Sequence, residues 1–293
     1  MGLAMATVQN TLELYNLGYF KKAESVMEIG SQELHLKKND LKELFDYVNL
    51  DSSLVENYPN IDNWPNQPRC SSKYLYEALG FKEYASIDIN SELGAINHDL
   101  NKTFEDKSKF GKYDLVTDHG SCEHVFNVPE CYKTIHNLTK PGDYIVSAQQ
   151  IIKGNGYFLF DKSIFDGMAA ANNYKIIFAS YVLSAKTTTK KGSAHQFHVP
   201  LSEFMFDTID FGKIDGLGVY AVFQKQNDSE YKFPYQSGLM NEIFNCSGFN
   251  RLYFKDQMAY SYVPSAKLTY EEAPFKILVK EFFKRLLKKL KKI

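Results

Sequence analysis

The sequence predicts an α/β protein with a mostly parallel central sheet and helices on both faces, and three observations carry that prediction. Short apolar, β-rich runs recur from Ser25 to Phe223. Stretches with helical spacing separate them, as the crossovers between parallel strands require. A glycine, an acid or a polar turn follows one run after another, which is where an open parallel sheet carries its ligand groups.

Near the N-terminus, Thr11 to Lys22 contains LELYNLGYF, apolar at the spacing of a short amphipathic helix, and leads into Ser25-Val-Met-Glu-Ile-Gly30, a buried strand closed by glycine. His35 to Asn49 alternates apolar and charged residues at helical spacing, whereas residues 51–69 are rich in Asn, Asp and Pro and form a loop or insertion. Ser71 to Leu79 is a helix with a serine cap, ended by Gly80 before a strand over Tyr84 to Ile89. A short strand lies near Ala95 to Asn97 and another over Tyr113 to Thr117. Cys122 to Leu138 has the pattern of one helix, stopped by Pro141-Gly142 before a β-rich run over Asp143 to Gln149. Ser163 to Asn172 is helical, and Lys175 to Leu183 and Gly218 to Phe223 are strands, with the polar, aromatic stretch Lys186 to Phe211 between them. The expected organisation is a domain over 1–226 with insertions near 51–69 and 186–211, an appendage over 227–274, and a basic amphipathic helix over 275–293.

Composition narrows the function classes. With 44% hydrophobic and 24% charged residues in 293, the chain suits a soluble globular protein. Cys70, Cys122, Cys131 and Cys246 are scattered without a Cys-x-x-Cys pair, so neither a disulfide framework nor a thiolate zinc site is indicated. The N-terminus has no basic region before an apolar core, and no apolar run reaches the roughly 18 residues of a membrane span. The expected compartment is the cytoplasm, with peripheral membrane contact open through the last segment. The final 19 residues hold eight Lys/Arg and one Glu, leaving the rest of the chain at about -8 for a net charge of -1. An acidic body with one basic tail argues against a broad nucleic-acid surface.

The residues after the strands form an ordered series: Glu28-Ile-Gly-Ser-Gln32, Asp88-Ile-Asn90, His98-Asp-Leu-Asn101, Asp118-His-Gly-Ser-Cys-Glu-His-Val125 and Lys140-Pro-Gly-Asp143. This series resembles the motifs of class I S-adenosylmethionine-dependent methyltransferases, which have a Rossmann-like fold. The likeness covers Ser25 to Gln226, and VMEIGS and SCEHVFNVPECYKTIHNLTKPGD are its most specific pieces. It implies S-adenosyl-L-methionine as cofactor, held by Glu28, Gly30, Ser31, Gln32, Asp88, Asp99 and Glu123. Gly30 would let the turn approach the methionine portion, with backbone amides facing its carboxylate; Asp88 would accept the ribose hydroxyls and Asp99 the adenine amino group. The same residues also suit plain roles, since a glycine after a strand makes a turn and a strand-end Asp caps a helix. The first motif has fewer glycines than the family's, and the long interval from Gly30 to Asp88 places extra chain at 51–69, where it could cover the site.

Methyl transfer to a hydroxyl needs alignment and a base. His124, His119 and Asp118 are the catalytic candidates, with His124 preferred as base and Asp118 and Glu123 as its neighbours. A histidine packed on the sheet and bonded to backbone is the rival reading. Gly154-Asn-Gly-Tyr-Phe-Leu-Phe160 offers Tyr157 and Phe158 as a substrate wall or as cover for a sheet edge. That Gly-Tyr-Phe phrase together with Phe233-Pro-Tyr-Gln236 resembles uncharacterised methyltransferases associated with surface-glycan biosynthesis, which implies a sugar or other polar acceptor, glycan or lipid-linked. No metal is expected, because His195 and His198 lack a matched third ligand.

Two other readings stay open: a methyltransferase fold that binds without catalysis, and a dinucleotide-dependent oxidoreductase. The second lacks Gly-x-Gly-x-x-Gly after the first strand. The last segment pairs a possible N-terminal Pro274 with an apolar stripe of Phe275, Leu278, Phe282, Leu286 and Ile293 opposite lysines. Its candidate contacts are an anionic membrane surface, the protein's own acidic body, or a second copy in a homo-oligomer.

Overall fold

The computed structural model describes residues 2–58, 70–185, 195–199 and 214–235, together with Val279, Phe283 and Leu287. The chain divides into two compact units, Met1–Tyr262 and Val263–Ile293. The first unit is built on an eight-stranded sheet of β2 (Ser25–Ile29), β4 (Glu83–Asp88), β5 (Ile96–Asn97), β6 (Tyr113–His119), β7 (Thr139–Ile152), β8 (Tyr174–Ala185), β9 (His195–Val199) and β10 (Ile214–Lys225). Their spatial order is β5-β4-β2-β6-β7-β10-β8-β9. The pairings from β5 to β7 are parallel, whereas β10 runs antiparallel to both β7 and β8. A separate pair joins β1 (Gly2–Leu3) to β3 (Glu33–Leu34). This is a Rossmann-like α/β fold, departing from the six parallel strands of the dinucleotide-binding form by the antiparallel β10 wedged near one edge.

Period-two alternation along each strand sorts side chains into two core layers. Val26, Leu115, Val146, Phe178 and Tyr220 share one layer with Val8 and Leu12 of α1 (Met5–Asn16), Leu41 and Leu44 of α2 (Lys38–Tyr47), and Leu75 and Tyr76 of α3 (Lys73–Ala78). Their strand neighbours Met27, Val116, Ile145, Ala179 and Ala221 face the other layer. It holds Tyr132 and Ile135 of α4 (Val128–Leu138) and Phe165 and Met168 of α5 (Ser163–Asn172). Each fully buried Val, Leu or Phe contributes roughly 1.5–3 kcal/mol, so slipping a strand by one residue would forfeit both layers. Residues 227–235 continue across α4 and α5: Ser229 O accepts from His136 Nε2 (2.7 Å), and Lys232 N donates to Asn172 Oδ1 (2.8 Å).

Several boundaries differ from the sequence expectation. The first helix spans Met5–Asn16 rather than Thr11 to Lys22, because Gly18 at φ +96° turns the chain right after it. Cys122 to Leu138 is not one helix: a 3-10 turn at Cys122–His124 is followed by α4, whose Pro129 sits in its first turn, where a missing N–H costs nothing. The Pro141-Gly142 pair does not separate helix from strand. β7 begins at Thr139 and absorbs the pair as a register shift opposite Tyr113 and Leu115. At the start of α3 (Lys73–Ala78), Ser72 spends its hydroxyl on Glu28, and the serine bond to the helix start comes from Ser71, whose Oγ accepts from Lys73 N (3.1 Å). The stretch 186–211 contains β9, which hydrogen-bonds to β8; its remaining residues, and 59–69 of the other insertion, lie outside the described residues.

Candidate functional site

Strand order reverses between β2 and β6, so the crevice beyond their carboxyl ends is the ligand position of this fold. Gly30 opens the turn after β2 with φ +89°. A Cβ there would stand 2.3 Å from Ser121 Oγ, so the glycine is required by Ser121. This is a reason for the glycine within the fold itself, beside the expected approach of a cofactor. The expectation for the turn's amides changes: Gly30 N donates to Ile87 O (2.7 Å) and Ser31 N to Asp88 Oδ2 (2.8 Å). Asp88 also accepts from Asn90 N (3.2 Å), which leaves lone pairs on a half-buried carboxylate at the strand end.

The turn after β6 is organised by Asp118. Its carboxylate is fully buried and accepts from Ser121 N (2.8 Å), Cys122 N (3.1 Å), Ser147 Oγ (3.3 Å) and the Gln149 amide. Burial holds this carboxyl above the usual range in spite of those donors. Asp118 therefore shapes the turn, its oxygens engaged by donors of the protein itself. Ser121 reaches across to β2, donating to Ile29 O and accepting from Gln32 Nε2 (2.9 Å). Cys122 and Cys131, distant in the sequence pattern, meet here with their sulfurs 2.7 Å apart as free thiols.

Glu123 and His124 come next along the chain. Glu123 is buried, its Oε2 accepts from Gln150 N (2.8 Å), and burial pushes its carboxyl up to about 7. His124 Nε2 lies 3.6 Å from Glu123 Oε1, and burial lowers the imidazole below its ordinary value. The Gly154–Phe160 loop is fastened to the same residue: Phe158 N donates to Glu123 O (3.2 Å), and a Cβ on Gly156 would stand 2.5 Å from that oxygen. The loop thereby holds Tyr157, 74% exposed, against Phe126, 75% exposed, with ring centroids 6.2 Å apart.

Among the described residues, four side chains at this end of the sheet carry buried polar atoms without a hydrogen-bond partner: Gln32 Oε1, His119 Nδ1 and Nε2, His124 Nε2 and Gln149 Oε1. The amide orientations are forced, since Gln32 Nε2 donates to the Ile29 carbonyl (3.1 Å) and Gln149 Nε2 to the Asp118 carboxylate. His119 stacks on Tyr220 at 6.4 Å and burial pushes it down to about 3, so it stays neutral. Buried unpartnered groups are costly and rare; Gln32 and Gln149 join one network through Ser121 and Asp118, whereas His119 lies on the opposite face of the sheet with Tyr220.

No family model matches the chain, and no curated protein does. Among solved structures it resembles an S-adenosylmethionine-dependent methyltransferase from Archaeoglobus fulgidus, with 13% identity, TM-score 0.38, and 73% of this chain and 92% of that one covered. It also resembles the 1,6-didemethyltoxoflavin-N1-methyltransferase of Burkholderia thailandensis, solved with 1,6-didemethyltoxoflavin and S-adenosylhomocysteine, at 8% identity and TM-score 0.40 over 76% and 80%. A third is the N-methyltransferase NodS of Bradyrhizobium japonicum, at 10% identity and TM-score 0.36 over 75% and 97%.

The structure thus links Gly30, Ser31, Gln32, Asp88 and Asp118 in one network and Glu123, His124, Tyr157 and Phe158 in the next, while His119 packs on Tyr220 instead. Asp99 stands at the edge: its carboxylate accepts from Asn101 N (3.0 Å) and Nδ2 (2.9 Å), which lowers its pKa, and Asn101 in turn accepts from Asn127 N (2.9 Å) before α4. Glu28 is turned into the layer below, where Ser72, Tyr84 (2.8 Å) and Thr117 (3.4 Å) donate to it and burial pushes it up to about 7. It holds strands and α3 together and does not face the crevice. Sequence reasoning missed Ser121, Gln149, Phe126 and Ile89, the last 65% exposed beside Asp88. The polar Gln149-Gln150 pair ending an apolar strand was the available signal. Among the described residues no cluster of three His, Cys, Asp or Glu could hold a metal ion.

Proposed function

We propose that the chain is an S-adenosylmethionine-dependent methyltransferase acting on a hydroxyl of a sugar or similar polar small molecule. The observation that supports it most is the mismatch between engaged donors and orphaned acceptors in the crevice. A dinucleotide's pyrophosphate needs free amides after the first strand, and here Gly30 N and Ser31 N are bonded within the protein. The unpartnered Gln32 and Gln149 oxygens, with the carboxylates of Asp88 and Glu123 nearby in the network, suit a ligand bearing positive charge and N–H donors. An amino acid with a sulfonium centre and a nucleoside has that chemistry, and when bound it supplies an electrophilic methyl group.

Asp88 keeps acceptor capacity for ribose hydroxyls, exposed Ile89 offers an apolar surface beside it, and Gln32 Oε1 offers an acceptor for the ammonium group. On the acceptor side, His124 turns its buried Nε2 to Glu123, so Nδ1 is the nitrogen to take the hydroxyl proton. The Glu123 carboxyl group, 3.6 Å from Nε2, then steadies the imidazolium, as a positioned base requires. Phe126, Tyr157 and Phe158 form a fastened aromatic rim on which the apolar face of a ring can rest.

Calorimetric titration with S-adenosylmethionine tests the cofactor reading: Asp88→Ala should weaken binding by about 1–3 kcal/mol, the scale of lost hydrogen bonds to a charged group. Unchanged affinity, or tighter binding of NAD by the parent protein, overturns it. Labelled methyl donor incubated with fractionated cell extract tests the acceptor, and label confined to nucleic acid refutes a sugar or polar small molecule.

A further inference from the structure

We propose that Glu123 is the positioning residue of the acceptor side, holding the aromatic loop and the histidine base in one register rather than binding the cofactor. The inference rests on the methyltransferase reading for what that side receives. Three elements meet on this residue. Its Oε2 accepts from Gln150 N (2.8 Å) near the end of β7, and its backbone carbonyl accepts from Phe158 N (3.2 Å) in the loop. Its Oε1 lies 3.6 Å from His124 Nε2. Gln150 completes the clasp, its carbonyl accepting from Phe160 N (2.8 Å), so the loop is pinned at Phe158 and again at Phe160. The approach is too close for side chains: a Cβ on Gly156 would stand 2.5 Å from Glu123 O, and one on Gly154 2.7 Å from Gln150 Cβ.

What the clasp holds is not core. Phe126 belongs to the turn that carries Glu123 and His124, whereas Tyr157 and Phe158 belong to the loop, and their ring contacts with Phe126, at 6.2 and 6.1 Å, cross from one to the other. Phe126 and Tyr157 are exposed, so fixing them adds little burial to the fold, while enclosing a carboxyl group is costly. A neutral amide side chain would accept from Gln150 N equally well. The acid gains its further use through the second oxygen, which faces the base. One buried residue therefore sets the distance between the aromatic rim and the imidazole that takes the proton, and such alignment governs the rate of a displacement.

The test compares the full chain with Glu123→Ala, Glu123→Gln and Gly156→Ala. Amide hydrogen exchange judges the clasp without any ligand. Exchange at Gln150 should quicken about tenfold in Glu123→Ala and return to the parental rate in Glu123→Gln, whose amide oxygen still accepts; exchange at Phe158 should quicken about tenfold in Gly156→Ala. Methyl transfer judges the positioning, with labelled S-adenosylmethionine and a dilution series of the extract fraction that the parent labels. Glu123→Ala and Gly156→Ala should raise the half-saturating amount of that fraction about tenfold, and Gly156→Ala should do so more than it lowers the maximal rate. Glu123→Gln should keep half-saturation within about twofold and lower the maximal rate about tenfold, because the clasp stays and the carboxyl beside His124 is lost. Titrated affinity for S-adenosylmethionine should stay within about twofold in all three. Parental exchange at Gln150 in Glu123→Ala and at Phe158 in Gly156→Ala overturns the clasp, and half-saturation unchanged in both overturns the positioning role. A tenfold loss of S-adenosylmethionine affinity in Glu123→Gln gives the residue to the cofactor and overturns the proposal. If Glu123→Ala does not fold, Gly156→Ala carries both readouts with every side chain of the site in place. Failure of the parent to bind S-adenosylmethionine overturns the methyltransferase reading, separately from the exchange result.

Discussion

Replacing Glu28 by Gln isolates a costly electrostatic feature of the fold. The carboxyl is fully buried, and burial pushes it from 4.5 to about 7 against the hydroxyls of Ser72, Tyr84 and Thr117. Because the folded pKa lies above the unfolded one, the folded state binds more protons between the two values, and stability falls as pH rises through that window. The full shift is worth roughly 3 kcal/mol at 1.36 kcal/mol per unit, most of it between pH 5 and 8. Glu28→Gln keeps the shape and removes the titration. The stability of the parent minus that of Glu28→Gln, from urea unfolding at each pH, should therefore fall by roughly 2–3 kcal/mol from pH 5 to 8 and level off above the folded pKa. Other titrating groups cancel in the difference. A difference independent of pH would refute the reading of Glu28 as a carboxyl held protonated in the layer beneath the site.

Gly30→Ala should cost about 1–3 kcal/mol, from the left-handed backbone and the contact with Ser121 Oγ, and a Ser121→Gly background should return part of it; full parental stability in the single variant would show the turn relaxes freely. His124→Ala should lower kcat about 100-fold with S-adenosylmethionine affinity largely kept, and the parent's kcat/KM should fall on acidification with a midpoint below the ordinary histidine value, because burial lowers this imidazole. Parental turnover in the variant would remove the base role. Tyr157→Ala should raise KM for the acceptor more than it lowers kcat, and a kcat-only effect in steady-state assays would argue against the aromatic rim as a binding surface.

The strands and most helices were legible because each is written within a few residues. Alternation at Val26–Ile29 and Ile145–Val146 marks two-sided burial, and Ser163–Asn172 was readable to the residue from its spacing. The break before α4 was also written locally, in Asn127-Val-Pro129, but the longer apolar rhythm from Cys122 to Leu138 masked it. The polar turns after β2, β4 and β6 pointed to one crevice for the same local reason: turn residues at strand ends keep their polar groups out of the core.

Which of those residues face a ligand, and which serve the fold, was decided only by tertiary structure. Glu28 and Asp118 look like site acids in the sequence, yet alternation and packing turn one into the lower layer and enclose the other among its own turn's amides. The antiparallel placement of β10 between β7 and β8 has no signature in its apolar run, which would suit either direction. Gln32 and Ser121, 89 residues apart, meet through Gly30's missing side chain, and that meeting leaves Gln32 Oε1 unpartnered in the crevice. By itself the sequence determined where strands, helices and polar turns fall, since those depend on hydrogen bonding and periodicity over neighbouring residues. Hydrogen-bond satisfaction depends on groups brought together from distant segments, so only the folded chain could decide which polar atoms were left for a ligand.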